Sequence, residues 1–173
     1  LYRHGSVVLA TDRGFSFYDS IQNTLTPIGD PEADKPQSRF NDGAVDPAGR
    51  LWAGTLSLEN TPKAASLYRL DPDLTVHTML TGISNSNGLT WSPDARTMYY
   101  IDTPTFEVSA FDYEIETGNI SGRRTVIRIE EGVGYPDGMT ADAEGMLWIA
   151  VWGSSRVFRY DPATGKVIGE VVL

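Results

Sequence analysis

Asn41-Asp42-Gly43, Asn87-Gly88-Leu89 and Asp137-Gly138-Met139 are three versions of one opener, set 46 and then 50 positions apart. The residues after each opener repeat as well. A turn comes first: Asp46-Pro47-Ala48-Gly49, Ser92-Pro93-Asp94-Ala95 and Asp142-Ala143-Glu144-Gly145. An aromatic comes next: Trp52 is 11 positions after Asn41, Tyr99 is 12 after Asn87, and Trp148 is 11 after Asp137. Each group then runs into an aromatic strand ending in an acid: Leu67-Tyr68-Arg69-Leu70-Asp71, Ala110-Phe111-Asp112-Tyr113-Glu114 and Val157-Phe158-Arg159-Tyr160-Asp161. Phe15-Ser16-Phe17-Tyr18-Asp19 is the same strand from an earlier unit. A period near 46 to 50 with about four short strands per unit is the pattern of β-propeller blades.

The rest of the sequence agrees. No stretch sustains a helical period, and short runs rich in Val, Ile, Tyr, Trp and Thr alternate with Gly, Pro, Asp and Asn, which reads as all-β. We expect one partial propeller domain over 1–173: the end of one blade and a connecting loop (1–35), then blades at 36–80, 81–130 and 131–173. About three and a half four-stranded blades do not close a ring, and an open ring exposes strand edges. The chain also opens in mid-pattern at Leu1-Tyr2-Arg3. The sequence therefore reads as a segment of a longer protein, inactive by itself.

Composition bounds the function. The 173 residues are 40% hydrophobic, as in an ordinary globular domain. With 14 basic against 23 acidic residues, the net charge is -9. Nucleic-acid binding needs a clustered basic surface and is not expected. No apolar run approaches a membrane span. The absence of cysteine excludes disulfides and thiolate metal sites.

The openers carry the chemistry. The first strand of each propeller blade lines the central channel, so equivalent positions face one another around the axis. Asn41, Asn87 and Asp137 would then bring three side-chain oxygens toward one point, a donor set suited to a hard cation such as Ca²⁺, Mg²⁺ or Mn²⁺. Asn-Gly and Asp-Gly are also strong hairpin-turn dipeptides. The recurrence in phase, beside separate turn signals, favours the channel. Sequence motifs of other hydrolases and of nucleotide binding are absent. His4 and His77 are the two histidines, and His77 reads as a surface residue of an outer strand. A Ser-His-Asp triad is not expected.

These blocks resemble the gluconolactonase/regucalcin family. The match rests on Ser38-Arg39-Phe40-Asn41-Asp42-Gly43, Ala53-Gly54-Thr55, Ser86-Asn87-Gly88-Leu89, Tyr99-Tyr100-Ile101-Asp102, Pro136-Asp137-Gly138-Met139 and Asp161-Pro162 with Thr164-Gly165-Lys166. The resemblance implies a six-bladed propeller with one divalent cation on its axis, Ca²⁺ first, with Zn²⁺, Mn²⁺, Mg²⁺ or Fe²⁺ as alternatives. It implies a small sugar lactone as substrate, no nucleic-acid or membrane partner, and a cytoplasmic setting. The family's metal ligands are a first-blade Glu, which lies upstream of residue 1, an Asn matching Asn87 and an Asp matching Asp137. Its substrate contacts match Arg39, Asn41 and Glu59.

The expected reaction is hydrolysis of an aldonolactone to its acid, with Asp137 as both ligand and candidate base. A non-catalytic calcium-binding propeller is the alternative, and a propeller interaction module a third. Trp52 and Trp148 are expected in the core between blades rather than on a sugar.

Overall fold

The computed structural model describes residues 5–173, so His4 lies outside the described residues. Fifteen strands form four antiparallel sheets among them. The first holds β1 (Ser6–Thr11), β2 (Gly14–Asp19) and β3 (Thr24–Gly29). The second holds β4 (Ser38–Val45), β5 (Leu51–Ser57), β6 (Ala65–Leu70) and β7 (Val76–Ile83). The third holds β8 (Ser86–Trp91), β9 (Thr97–Asp102), β10 (Glu107–Glu114) and β11 (Asn119–Arg128). The fourth holds β12 (Tyr135–Ala141), β13 (Leu147–Trp152), β14 (Arg156–Asp161) and β15 (Lys166–Val172). Each is a meander in sequence order, as a propeller blade requires. The structure is thus part of a β-propeller, as the repeat predicts. No helix among the described residues is long and apolar enough to cross a membrane.

The residues before 36 carry three strands. Thr24–Gly29 pairs along β2 despite Pro27. Proline is tolerated there because β3 is an edge, where its missing N–H breaks no ladder. The loop after β3 is anchored by buried Glu32. Its carboxylate accepts hydrogen bonds from Tyr68 Oη at 2.8 Å, from Lys35 Nζ at 2.9 Å and from Ser38 Oγ. Burial raises the Glu32 pKa, but these bonds outweigh burial and leave it below its ordinary value.

Three apolar layers glue the four sheets face to face. Phe15, Phe40, Tyr68 and Leu70 fill the first gap. Trp52, Leu67, Leu89, Trp91, Tyr100 and Phe111 fill the second. Ile101, Val108, Ile127, Leu147, Ile149 and Phe158 fill the third. A sheet covered on both faces loses its polar alternation, and β6 is buried at every position. The fourth sheet is covered on one face among the described residues, and β13 alternates buried with exposed or half-buried. This corrects the expectation for Trp148. Trp52 is fully buried, whereas Trp148, on the uncovered face, is half-buried.

The repeated turns have a structural purpose. Asp46 Oδ1 accepts the Ala48 and Arg50 N–H groups, and Oδ2 accepts Trp52 Nε1 at 3.0 Å and Tyr113 Oη at 2.7 Å. Asp142 repeats this with the Glu144 and Met146 N–H groups and Trp148 Nε1 at 3.0 Å. One carboxylate therefore closes the turn and fixes the indole of the next strand.

Candidate metal and substrate site

The openers lie inside the inner strands, not in turns. In β4 the pairing with β5 skips from Phe40↔Thr55 to Gly43↔Ala53. In β8 it skips from Ser86↔Asp102 to Leu89↔Tyr100, and in β12 from Pro136↔Val151 to Met139↔Ile149. Two residues face one at each skip, which makes a β-bulge. The bulged pairs are Asn41-Asp42, Asn87-Gly88 and Asp137-Gly138. Register also absorbs the odd spacing of the middle unit. Trp52, Tyr99 and Trp148 pair with Ala44, Thr90 and Thr140, each three residues past its opener.

Glycine at 88 and 138 is not there for a left-handed backbone, since neither has positive φ. Gly88 is a contact requirement. A Cβ there would come within 2.6 Å of the Met139 backbone N and 2.7 Å of the Asp137 carbonyl oxygen. The bulges of β8 and β12 are therefore pressed together, which carries Asn87 and Asp137 into one cleft.

That cleft has a volume of about 460 Å³ and is lined by Asn85, Asn87, Thr103, Asp137 and the rings of Tyr135 and Trp152, with two prolines. Such a volume suits a small ligand. Asn87 is buried, and its Nδ2 donates to Thr103 Oγ1 at 2.9 Å. Thr103 Oγ1 donates in turn to the Pro136 carbonyl at 2.8 Å. With its one proton committed to Pro136, the threonine hydroxyl can only accept from Asn87. The Asn87 amide is thus oriented, and its Oδ1 accepts no hydrogen bond from the described residues. Thr103 was not singled out from the sequence. It lies in a 3-10 turn, Thr103–Thr105, whose Thr-Pro sequence signals only a turn.

The remaining residues divide. Arg39 donates from Nη1 to Asn41 Oδ1 at 3.2 Å, so these two are together. Asn41 Nδ2 reaches across to the Ser86 carbonyl at 2.9 Å and to Asn85 Oδ1 at 3.3 Å. Asn41 therefore adjoins the cleft through Asn85 without lining it. Glu59, in the turn after β5, lines a separate cleft with Lys35, Ser38 and Ser57. His77 stands on the outermost strand β7, 3.2 Å from an Asp71 oxygen.

Asp42, in the first bulge, bears on the electrostatics. Burial pushes its carboxyl above the ordinary value, the Gly43 N–H opposes this, and the charge of Asp137 adds to the rise. The Asp137 charge felt at Asp42, and the Asn87 amide oxygen that has no donor among the described residues, are both features that a hard cation would relieve. The donors fit such an ion. No group of three or more His, Cys, Asp or Glu side chains placed for a metal occurs among the described residues.

The sequence profile of the SMP-30/gluconolactonase/LRE-like region matches residues 1–173. The chain belongs to this family. Regucalcin of Danio rerio is 47% identical over 171 residues, which is 98% of this chain and 58% of the relative. A protein of Bacillus subtilis named for sugar lactone lactonase activity, YvrE, is 41% identical over 170 residues, again 98% of this chain and 58% of the relative. Among solved structures, the calcium-binding protein regucalcin of Agrobacterium tumefaciens superposes with a TM-score of 0.92 at 31% identity, covering 99% of this chain and 58% of that one. As a member of the SMP-30/gluconolactonase/LRE-like family, the chain spans about three-fifths of the length of the relatives it matches.

Proposed function

We propose that this chain, at the full length of its relatives, hydrolyses a sugar (aldono-) lactone to its acid with the help of a divalent cation, Ca²⁺ foremost. The observation that carries the reading is the pairing of Asn87 and Asp137 in one cleft, with Thr103 turning the Asn87 amide so that Oδ1 is free. These two side chains would hold the ion. When bound, such an ion polarises a carbonyl and acidifies water.

The chain's own residues do the rest. Asp137 is the one carboxylate among the three aligned openers, and its proposed part, beyond holding the ion, is to take the proton of the attacking water. Asn41, which adjoins the cleft, and Arg39, joined to it, are proposed to hold substrate hydroxyls. Glu59, which lines a separate cleft, is the third residue proposed on the substrate side. A cytoplasmic setting is part of the same proposal.

A panel of aldonolactones assayed on the full-length protein with Ca²⁺, Mg²⁺, Mn²⁺ and Zn²⁺ tests it. We expect turnover that chelation abolishes. Asp137→Asn should lower kcat by about 100-fold or more at saturating metal, the lower range for loss of a general base. Near wild-type turnover in that variant would remove Asp137 as the base. Calcium binding with no turnover of any lactone would favour a non-catalytic calcium-binding role. The 31% identity to a structure described as a calcium-binding protein makes that the second reading.

A further inference from the structure

The cleft has one wall that neither the cation nor the polar residues explain. Tyr135 and Trp152 are register partners across β12 and β13, with ring centroids 5.8 Å apart at 45°. Phe106 continues the row, its ring 5.5 Å from that of Tyr135 at 37°. The row is held in place. Phe106 has a φ of 53°, unusual for a bulky side chain. Its N–H donates to the Thr103 carbonyl at 3.1 Å and its own carbonyl accepts from Ile129 N at 2.8 Å. The same short turn thus positions both Thr103, which orients Asn87, and Phe106, which backs Tyr135.

Of the four tryptophans, Trp52 and Trp91 are buried, and Trp148 is bonded through Nε1 to Asp142 with Arg159 over its ring. Among the described residues Trp152 has no such partners, and it lines the cleft that holds Asn87 and Asp137. An aromatic pair lining one cleft with convergent polar groups marks a binding surface.

We propose that Tyr135 and Trp152 form the platform against which the ring face of a cyclic sugar lactone rests, making them specificity-determining residues of the site. The inference rests on the lactonase reading for its substrate class. A sugar ring presents an apolar C–H face and a hydroxyl-bearing edge. The cleft lining holds both kinds of partner, two aromatic residues and the polar Asn85, Asn87, Thr103 and Asp137. A lactone with a long alkyl tail would need a continuous apolar wall, and those four polar residues interrupt it.

The test uses the full-length protein, with D-glucono-δ-lactam as a non-hydrolysable ring probe followed by isothermal titration calorimetry, and aldonolactone kinetics in parallel. Trp152→Ala should raise the Kd for the lactam and the KM for the lactone about 3- to 10-fold, the range expected for loss of one aromatic contact. Trp152→Phe should stay within about twofold of wild type by the same scale. Trp152→Leu keeps apolar bulk without an aromatic face and should behave like Trp152→Ala. kcat should hold in all three. Wild-type affinity in Trp152→Ala, or rescue by Trp152→Leu as good as by Trp152→Phe, overturns the platform. So does a wild-type protein that binds no lactam. If lactam binding depends on Trp152 but no lactone is turned over, the platform stands and the hydrolytic reading falls.

Discussion

The bulge in β4 and the bulges in β8 and β12 share a backbone device but not a fate. In β4, Asn41 is consumed by protein partners. Its Oδ1 takes Arg39, and its Nδ2 gives to Asn85 and the Ser86 carbonyl. In β8, only the nitrogen of Asn87 is committed, to Thr103. The second bulge position differs as well. Asp42 carries a half-buried carboxylate where Gly88 and Gly138 carry nothing. In-phase repetition therefore sets where a side chain stands, while its immediate neighbours set which atoms remain for a ligand. The proposed site falls between β8 and β12 because a glycine lets those strands touch.

The sharpest way to break the comparison is at the two glycines. Gly88→Val should destabilise the fold by about 1–3 kcal/mol, the usual scale for forced overpacking. The atoms met are backbone of Met139 and Asp137, which have no rotamer to yield. A Cβ at Gly138 meets nothing within 4 Å. In this chain, where no further sheet lies against β12 among the described residues, Gly138→Val should therefore be close to neutral by the same denaturant melts. Equal effects at both would mean that contact between β8 and β12 does not bring the cleft together.

A smaller effect is expected at Thr103, the difference between Asn87 and Asn41 reduced to one hydroxyl. Thr103→Val keeps the shape, removes the acceptor that orients Asn87 and leaves the Pro136 carbonyl without its donor. Ca²⁺ affinity of the full-length protein, read by calorimetry, should fall about 10-fold, the lower range for losing a group that orients a metal ligand. Asn41→Ala should leave Ca²⁺ affinity unchanged. A loss as large in Asn41→Ala would show that the first bulge also serves the ion.

Much of the fold was legible because propeller blades are repeats, and spacing survives even when residues change. The one-residue excess before Tyr99 was visible in the sequence, and the register shows the turn absorbing it. What the sequence hid were features that depend on partners far along the chain. Thr103 matters only because the Asn87 amide and the Pro136 carbonyl flank it. Trp152 and Tyr135 meet through strand pairing, so no local pattern links them. The exposure of Trp148 could not be read from its equivalence to Trp52, because burial depends on the sheet next door. Pro27 hid β3, since edge position alone makes proline acceptable there.

The smallest expected effect compares the two turn brackets, which are chemically alike but differently covered. Asp46 is buried with Trp52, Tyr113 and Arg50 around it, and Asp142 is half-exposed with Trp148 and Arg159. Burial raises both pKa values, and hydrogen bonds outweigh it in both. For Asp46 they come from Tyr113, the Arg50 N–H and Trp52, and for Asp142 from Arg159, the Met146 N–H and Trp148. The Asp142 carboxyl is held down at about 2. A carboxyl with a depressed folded pKa stabilises the fold above its unfolded value, near 3.8 here, and that contribution is lost as pH falls through the folded value. Asp142→Asn should therefore lower stability slightly at pH 7, where solvent screens the Arg159 pair, and flatten the decline between pH 4 and pH 2, so that the variant and wild-type curves converge at the acid end. Asp46→Asn should lower stability at pH 7 as well, because a neutral amide cannot accept from every buried donor that the carboxylate serves. Denaturant melts of both variants from pH 2 to pH 7 check this. An Asp142→Asn curve parallel to wild type across that range would show that the half-exposed bracket contributes no pH-dependent stability.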